Sequence, residues 1–235
     1  MRVIDGHVFL GETIYVSQGP EDLIAKMNQV GIEVSVIVAP PPGPFYEEAN
    51  KVVREAVQRY PGRLAALYRV NPHLEGEVER TREALEERVF VGLHLDPTND
   101  GYGVGSQVVE PVIKVAGEMG VPVYVHSGDS IFCPPEAVAD LASKFVNVNF
   151  ITPMSRRAPR AVQDRGNLYL TTRPFPTLAF QRGYAENLDP SRLIFATDSP
   201  LGSPEIEMRR VELAGLDADV KEKVLGGNLQ RIMGL

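Results

Sequence analysis

The sequence predicts a single-domain (β/α)8 barrel, a TIM barrel spanning residues 1–235. Three observations carry this expectation. The hydrophobic pattern changes period repeatedly, with short β-branched and aliphatic runs alternating with longer amphipathic stretches, as in βα units built on a parallel sheet. Eight strand-like runs can be counted, the number that closes a barrel, and 235 residues sits at the short end of the usual length. No glycine-rich fingerprint follows the first run, which argues against the doubly wound dinucleotide-binding alternative.

The first strand is read at residues 2–4, with Asp5 and His7 in the loop after it. Residues 20–30 read as a helix, because Pro20 suits a first turn and Gly31 a left-handed cap. The second strand is 33–39 (EVSVIVA), and the helix at 45–60 stops at Pro61-Gly62. The third strand is 63–70 (RLAALYRV), followed by a charged helix over 74–88. The fourth is 89–95 (VFVGLHL), before a helix at 107–119 that ends on Gly120. The fifth is 121–125, with a helix over 135–145, and the sixth and seventh are 146–151 and 167–171. A helix over 175–186, an eighth strand at 192–196 (RLIFA) and two helical stretches complete the chain.

The formal charge is −7, from 24 basic and 31 acidic residues. Nucleic-acid affinity rests on clustered Lys and Arg, and the one basic cluster, Arg156, Arg157, Arg160 and Arg165, is short. No nucleic-acid partner is expected. The single cysteine, Cys133, has no partner for an intramolecular disulfide. No apolar run is long enough to span a bilayer, and the first residues enter a strand without a signal-peptide core, so a cytoplasmic protein with no membrane partner is the expectation.

In barrels of this kind the chemistry lies at the C-terminal ends of the strands. Those positions hold Asp5 and His7 after the first strand, His94 and Asp96 on the fourth, His126 and Asp129 after the fifth, and Thr197 and Asp198 after the eighth. Three of the four histidines thus fall on strand ends, and imidazoles converging with carboxylates suit zinc, manganese or iron. Each residue alone has an ordinary alternative. His7 can close a turn, His94 can be a hydrogen-bonded core residue, and Asp198 before Ser199-Pro200 can cap a helix. His73 reads as a loop residue, and Cys133 as a small buried hydrophobe. Arg173, past the seventh strand, and Arg156, past the sixth, have the planar fork that grips a carboxylate; their alternative is a solvated surface.

Five segments carry a family resemblance. Ile4-Asp5-Gly6-His7-Val8-Phe9-Leu10-Gly11 matches I-D-x-H-x-H-x-G, and Gly92-Leu93-His94-Leu95-Asp96-Pro97 matches G-[IL]-K-[IL]-x-P. Pro122-Val123-Tyr124-Val125-His126-Ser127-Gly128 matches P-[IV]-x-[IV]-H-x-G. Arg192-Leu193-Ile194-Phe195-Ala196-Thr197-Asp198-Ser199-Pro200 matches R-[IL]-[IL]-F-G-[ST]-D-x-P, and Gly227-Asn228-Leu229-Gln230-Arg231 resembles G-N-A-x-R. With these motifs the chain resembles the amidohydrolase superfamily. The resemblance is strongest to its short single-domain metal-dependent hydrolases, those similar to aminocarboxymuconate-semialdehyde decarboxylase.

The resemblance implies one divalent metal held by two opening histidines, the strand-five histidine and the final aspartate, with a strand-six histidine in H-x-G helping to place water or substrate. Carried over by position, His7 and His126 are ligands, and Asp198 is the last ligand or the general base. The second opening histidine is Phe9 here, and Pro153-Met154-Ser155 stands where H-x-G is expected. His94 takes a position that is often lysine, which excludes a carboxylated-lysine bridge and a binuclear site.

The first reading is therefore a metal-dependent hydrolase using a metal-activated water, with a decarboxylase as the lesser variant. Zinc is the expected ion, held by His7, His126 and Asp198 with His94 nearby. The substrate is small and, where Arg173 and Arg156 contact it, carboxylated. The alternative is a barrel without metal or chemistry, acting as a small-molecule binder or structural protein. A rearranged ligand set using His94, Asp5 or Cys133 is a further variant. Related barrels suggest a homodimer.

Overall fold

The computed structural model describes residues 2–127, 130–163, 165–173 and 189–235. Within them run eight parallel strands: β1 (Ile4–Phe9), β2 (Val34–Val38), β3 (Leu64–Val70), β4 (Phe90–Leu95), β5 (Val123–Val125), β6 (Phe150–Thr152), β7 (Leu168–Thr171) and β8 (Leu193–Ile194). Each pairs in parallel with the next. Between β8 and β1 the ring is drawn together by backbone hydrogen bonds just past the short eighth strand. Gly6 N–H donates to Phe195 O at 2.9 Å, Asp198 N–H to His7 O at 3.0 Å, and Phe9 N–H to Ser199 O at 2.8 Å. The architecture is the expected (β/α)8 barrel. Among the described residues no helix is long and apolar enough to cross a membrane.

The helices follow from local chemistry. Pro20–Val30 begins on proline with Glu21 and Asp22 in its first turn, where carboxylates meet the positive end of the dipole, and stops where Gly31 takes φ 77°. Glu47–Arg59 turns Asn50, Val53 and Ala56 inward. Some boundaries differ from the sequence reading. The first strand is Ile4–Phe9 rather than 2–4, so His7 lies within a strand instead of after it. The sixth strand starts at Phe150, because Val148 N–H is committed to a turn on Phe145 O at 3.0 Å. A two-residue antiparallel ribbon, Gly11–Glu12 with Ser17–Gln18, was not anticipated. The helix expected over 175–186 and the residue Asp129 lie outside the described residues.

Alternation along the strands builds two apolar shells. Val36, Leu67 and Ile151 fill the barrel interior, while Val8, Ile37 and Leu93 face the helices. Ile4 and Phe9 both belong to the interior although they stand five positions apart, a spacing that strict alternation would split between faces. The register shift between Asp5 and Val8 absorbs the extra residue, as a bulge does, and aims His7 inward. Gly6 sits in that shift. A Cβ there would lie 2.8 Å from Ile194 Cγ2 and 3.1 Å from Phe195 O. Gly6→Ala is accordingly expected to cost about 1–3 kcal/mol through overpacking, read as a lower urea midpoint at unchanged m-value.

Candidate metal centre

Register places the polar interior. Arg69 on β3, His94 on β4 and Tyr124 on β5 are successive partners, so the three side chains share one level of the barrel. His7 joins them from β1, and His126 from the residue after β5. Among the described residues, His7, His94 and His126 form a group whose potential ligand atoms all lie within 4.8 Å of one another. His7 Nε2 and His94 Nε2 are 3.2 Å apart. Tyr124 supports them from the side, its ring stacked on His7 (4.3 Å between centroids) and on His94 (5.3 Å). The His126 ring stands across both, at 68° and 77°.

Two carboxylates back this group. Asp198 takes φ 53°, in the left-handed region where a residue other than glycine is uncommon. His7 Nδ1–H donates to its Oδ1 at 2.7 Å, and Arg173 Nε is 3.4 Å from its Oδ2. On the other side Asp96 Oδ2 accepts from Arg69 Nη2 at 2.7 Å and Asn99 Nδ2 at 2.8 Å, and lies 3.6 Å from His126 Nδ1. Burial works to raise both carboxyls but is outweighed. The hydrogen bond and charge of His7 hold Asp198 below the usual carboxylate range, and the charges of His126 and Arg69 do so for Asp96. Burial lowers His94 well below the usual imidazole value and lowers His126, against the pull of Asp96 on the latter. Both shifts favour the neutral ring, the form in which imidazole binds a metal.

These residues fit one divalent ion. Zn–N bonds of about 2.0–2.1 Å in a tetrahedron put two ligand nitrogens about 3.3 Å apart, close to the 3.2 Å between His7 and His94. Among the described residues, His94 Nδ1 and His126 Nδ1 are buried without hydrogen-bond partners, which is uncommon for core histidines. Phe9 is fully buried, its ring edge-on to His7 at 4.8 Å, and supplies no donor.

The other expected residues fall into place around this centre. Asp5 accepts from Thr197 N–H at 2.9 Å and from the Thr197 hydroxyl at 2.6 Å, clasping β1 to the end of β8, and burial pushes its carboxyl up to about 7. Cys133 is buried with its thiol pushed up by burial, and His73 packs beside Tyr102; neither belongs to the histidine group. Asp5 likewise lies outside it. Arg173 also meets Glu207 Oε1 at 3.2 Å and Leu201 O at 3.3 Å, while Arg156 is exposed on the segment after β6.

Sequence reasoning passed over Arg69 and Tyr124. The available signal for Arg69 was parity: Ala65, Leu67 and Arg69 alternate along one strand, so the charge had to share the buried face of the other two. Arg69 also stands 4.0 Å from Asp100, whose carboxyl hydrogen-bonds the Tyr46 hydroxyl. Burial raises Asp100 to about 6, against the pull of Arg69 and of the Tyr46 bond. A carboxyl raised above its ordinary 3.8 contributes stability that is fully present below 3.8 and lost as pH rises through about 6. Chelated protein should thus lose stability through this group between about pH 4 and 6.5. Asp100→Asn should flatten that part of the profile, measured by urea unfolding at fixed pH.

By sequence, no curated protein matches the chain. Solved structures match in fold. A 5-carboxyvanillate decarboxylase from Sphingomonas paucimobilis superposes with a TM-score of 0.79 at 15% identity, covering 100% of this chain and 99% of that one. A dihydroxybenzoic acid decarboxylase from Polaromonas sp. JS666, with bound manganese and the inhibitor 2-nitroresorcinol, gives 0.77 at 15% identity, covering 100% and 97%. A probable 2-pyrone-4,6-dicarboxylic acid hydrolase from Acinetobacter baumannii, with citric acid bound, gives 0.76 at 14% identity, covering 100% of both chains. At such identities the likeness speaks for fold alone. The amidohydrolase family model matches residues 12–235, so β1 and His7 stand outside the matched span and His7 rests on geometry. With the barrel, its strand-end histidines and a match over nearly its whole length, the chain belongs to the amidohydrolase family.

Proposed function

We propose that this chain is a metal-dependent hydrolase of small carboxylated substrates, its ion held by His7, His94 and His126. The observation that carries this reading is the convergence of the three imidazoles from β1, β4 and the end of β5. A divalent ion bound there lowers the pKa of water toward neutrality and polarises a carbonyl. Three imidazoles favour zinc over the harder manganese, which prefers oxygen donors.

The chain's own groups supply the rest. Asp198 holds His7 Nδ1 through Oδ1, which leaves Nε2 facing His94. Its Oδ2 takes a proton from the attacking water and returns it to the leaving group, a general-base role. Arg173 beside that oxygen keeps the carboxylate ionised between turnovers. Arg156, exposed at the same end of the barrel, pairs with a substrate carboxylate through its planar fork.

A second reading, a metal-free binding barrel, has one observation of its own. A separation of 3.2 Å between two imidazole nitrogens is also an N–H···N hydrogen bond. Metal content decides between the two. Protein purified without chelator, and again after zinc reconstitution, is expected to carry about one ion per chain that is lost in His126→Ala. Wild-type protein that stays metal-free in both preparations overturns the proposal. Loaded protein is then expected to hydrolyse esters, lactones or amides of aromatic carboxylic acids, and Asp198→Asn to lower kcat about 10²- to 10⁴-fold with the ion retained.

A further inference from the structure

Resting on the reading that His126 is a ligand, we infer that Asp96 is a positioning residue. It fixes His126 with its proton on Nδ1 and its Nε2 lone pair toward His7 and His94, and Arg69 holds Asp96 in place for that task.

The His7 side of the centre shows the pattern in full: Arg173 beside Asp198, and Asp198 hydrogen-bonded to His7 Nδ1. The His126 side repeats it from unrelated strands, with Arg69 on β3, Asp96 just after β4 and His126 just after β5. His126 Nδ1 is buried, has no hydrogen-bond partner among the described residues and faces Asp96 Oδ2 at 3.6 Å. A buried N–H without an acceptor is costly, and an ionised carboxylate at that distance makes Nδ1 the favoured place for the single proton.

Asp96 cannot drift away from this role. Its Oδ1 accepts from Asn99 N–H at 3.4 Å, so the side chain caps the turn Pro97–Asp100, while Oδ2 is held by Arg69 and the Asn99 amide. Arg69 is immobilised in its turn. Its Nη1 donates to Ala39 O at 2.9 Å, its guanidinium lies 4.4 Å over the Tyr46 ring, and Asn50 bonds both its backbone N–H (3.0 Å) and its C=O (2.9 Å). If Asp96 served only as counter-ion and cap, nothing would require His126 Nδ1 on the same oxygen. Carboxylates that back a metal-bound imidazole fix its tautomer and raise its basicity, and their loss weakens metal affinity.

The test uses full-length protein labelled with ¹⁵N-histidine. In chelated wild type, long-range ¹H–¹⁵N spectra are expected to show His126 protonated on Nδ1, and in Asp96→Asn to show the proton redistributed toward Nε2. Zinc titration against a competing chelator is expected to give about 10- to 100-fold weaker binding in Asp96→Asn, with partial recovery in Asp96→Glu. Unfolding midpoints of the same variants separate this from a loss of fold. Wild-type His126 protonated on Nε2 overturns the inference, and so does equal zinc affinity in wild type and Asp96→Asn. Wild type that fails to bind zinc overturns the metal reading instead, and the tautomer result then still decides the role of Asp96.

Discussion

His94→Ala is expected to lower zinc affinity by about a hundredfold or more while the barrel stays folded. A structural zinc site is worth about 10–16 kcal/mol over four ligands, so one imidazole carries about 3 kcal/mol, and every 1.4 kcal/mol is tenfold. His94 bears this share because Phe9 provides no donor where the family places a second opening histidine. The structural cost of the substitution is the cavity left by a fully buried ring stacked at 5.3 Å on Tyr124. His94→Phe keeps that packing and removes the donor. Equal zinc affinity in wild type and His94→Phe, measured by competition with a chromophoric chelator, would remove His94 from the ligand set. The open position would then have to be filled by Asp198.

His94 also shows how far residue order alone could be read. Strand ends were legible because a barrel orders its chemistry along the chain, and the aliphatic runs of residues 64–70 and 90–95 mark their strands clearly. His7 was assigned to the right end of the barrel but to the wrong side of a strand boundary. The shift between Asp5 and Val8 adds one residue to β1, and a bulge leaves no compositional mark beyond Gly6. Whether His94 was a core residue or a ligand could not be decided from its neighbours, since aliphatic flanks suit both. What brings His94 into question as a ligand is a distance between strands 87 residues apart in sequence. Arg69 was hidden differently. An arginine near a strand end usually snorkels to solvent, and only the partners at Asp96, Ala39 and Tyr46 explain how this one stays fully buried.

Arg69→Met is expected to cost about 3–5 kcal/mol of stability, because removing one partner of a buried ion pair leaves the other charge uncompensated. Here the stranded groups are Asp96, buried and 2.7 Å from the guanidinium, and Asp100 at 4.0 Å. Methionine nearly conserves the packing against Tyr46, so the loss reports charge rather than volume. The double variant Arg69→Met/Asp96→Asn tests that assignment. If unpaired Asp96 is the source of the penalty, the double variant should be more stable than the sum of the single losses implies, by about 1 kcal/mol or more. Strict additivity in urea unfolding of the chelated proteins would instead place the penalty at Asp100 and the Ala39 carbonyl. The distinction bears on function, since only an Arg69 whose energetic weight falls on Asp96 can hold that carboxylate against His126.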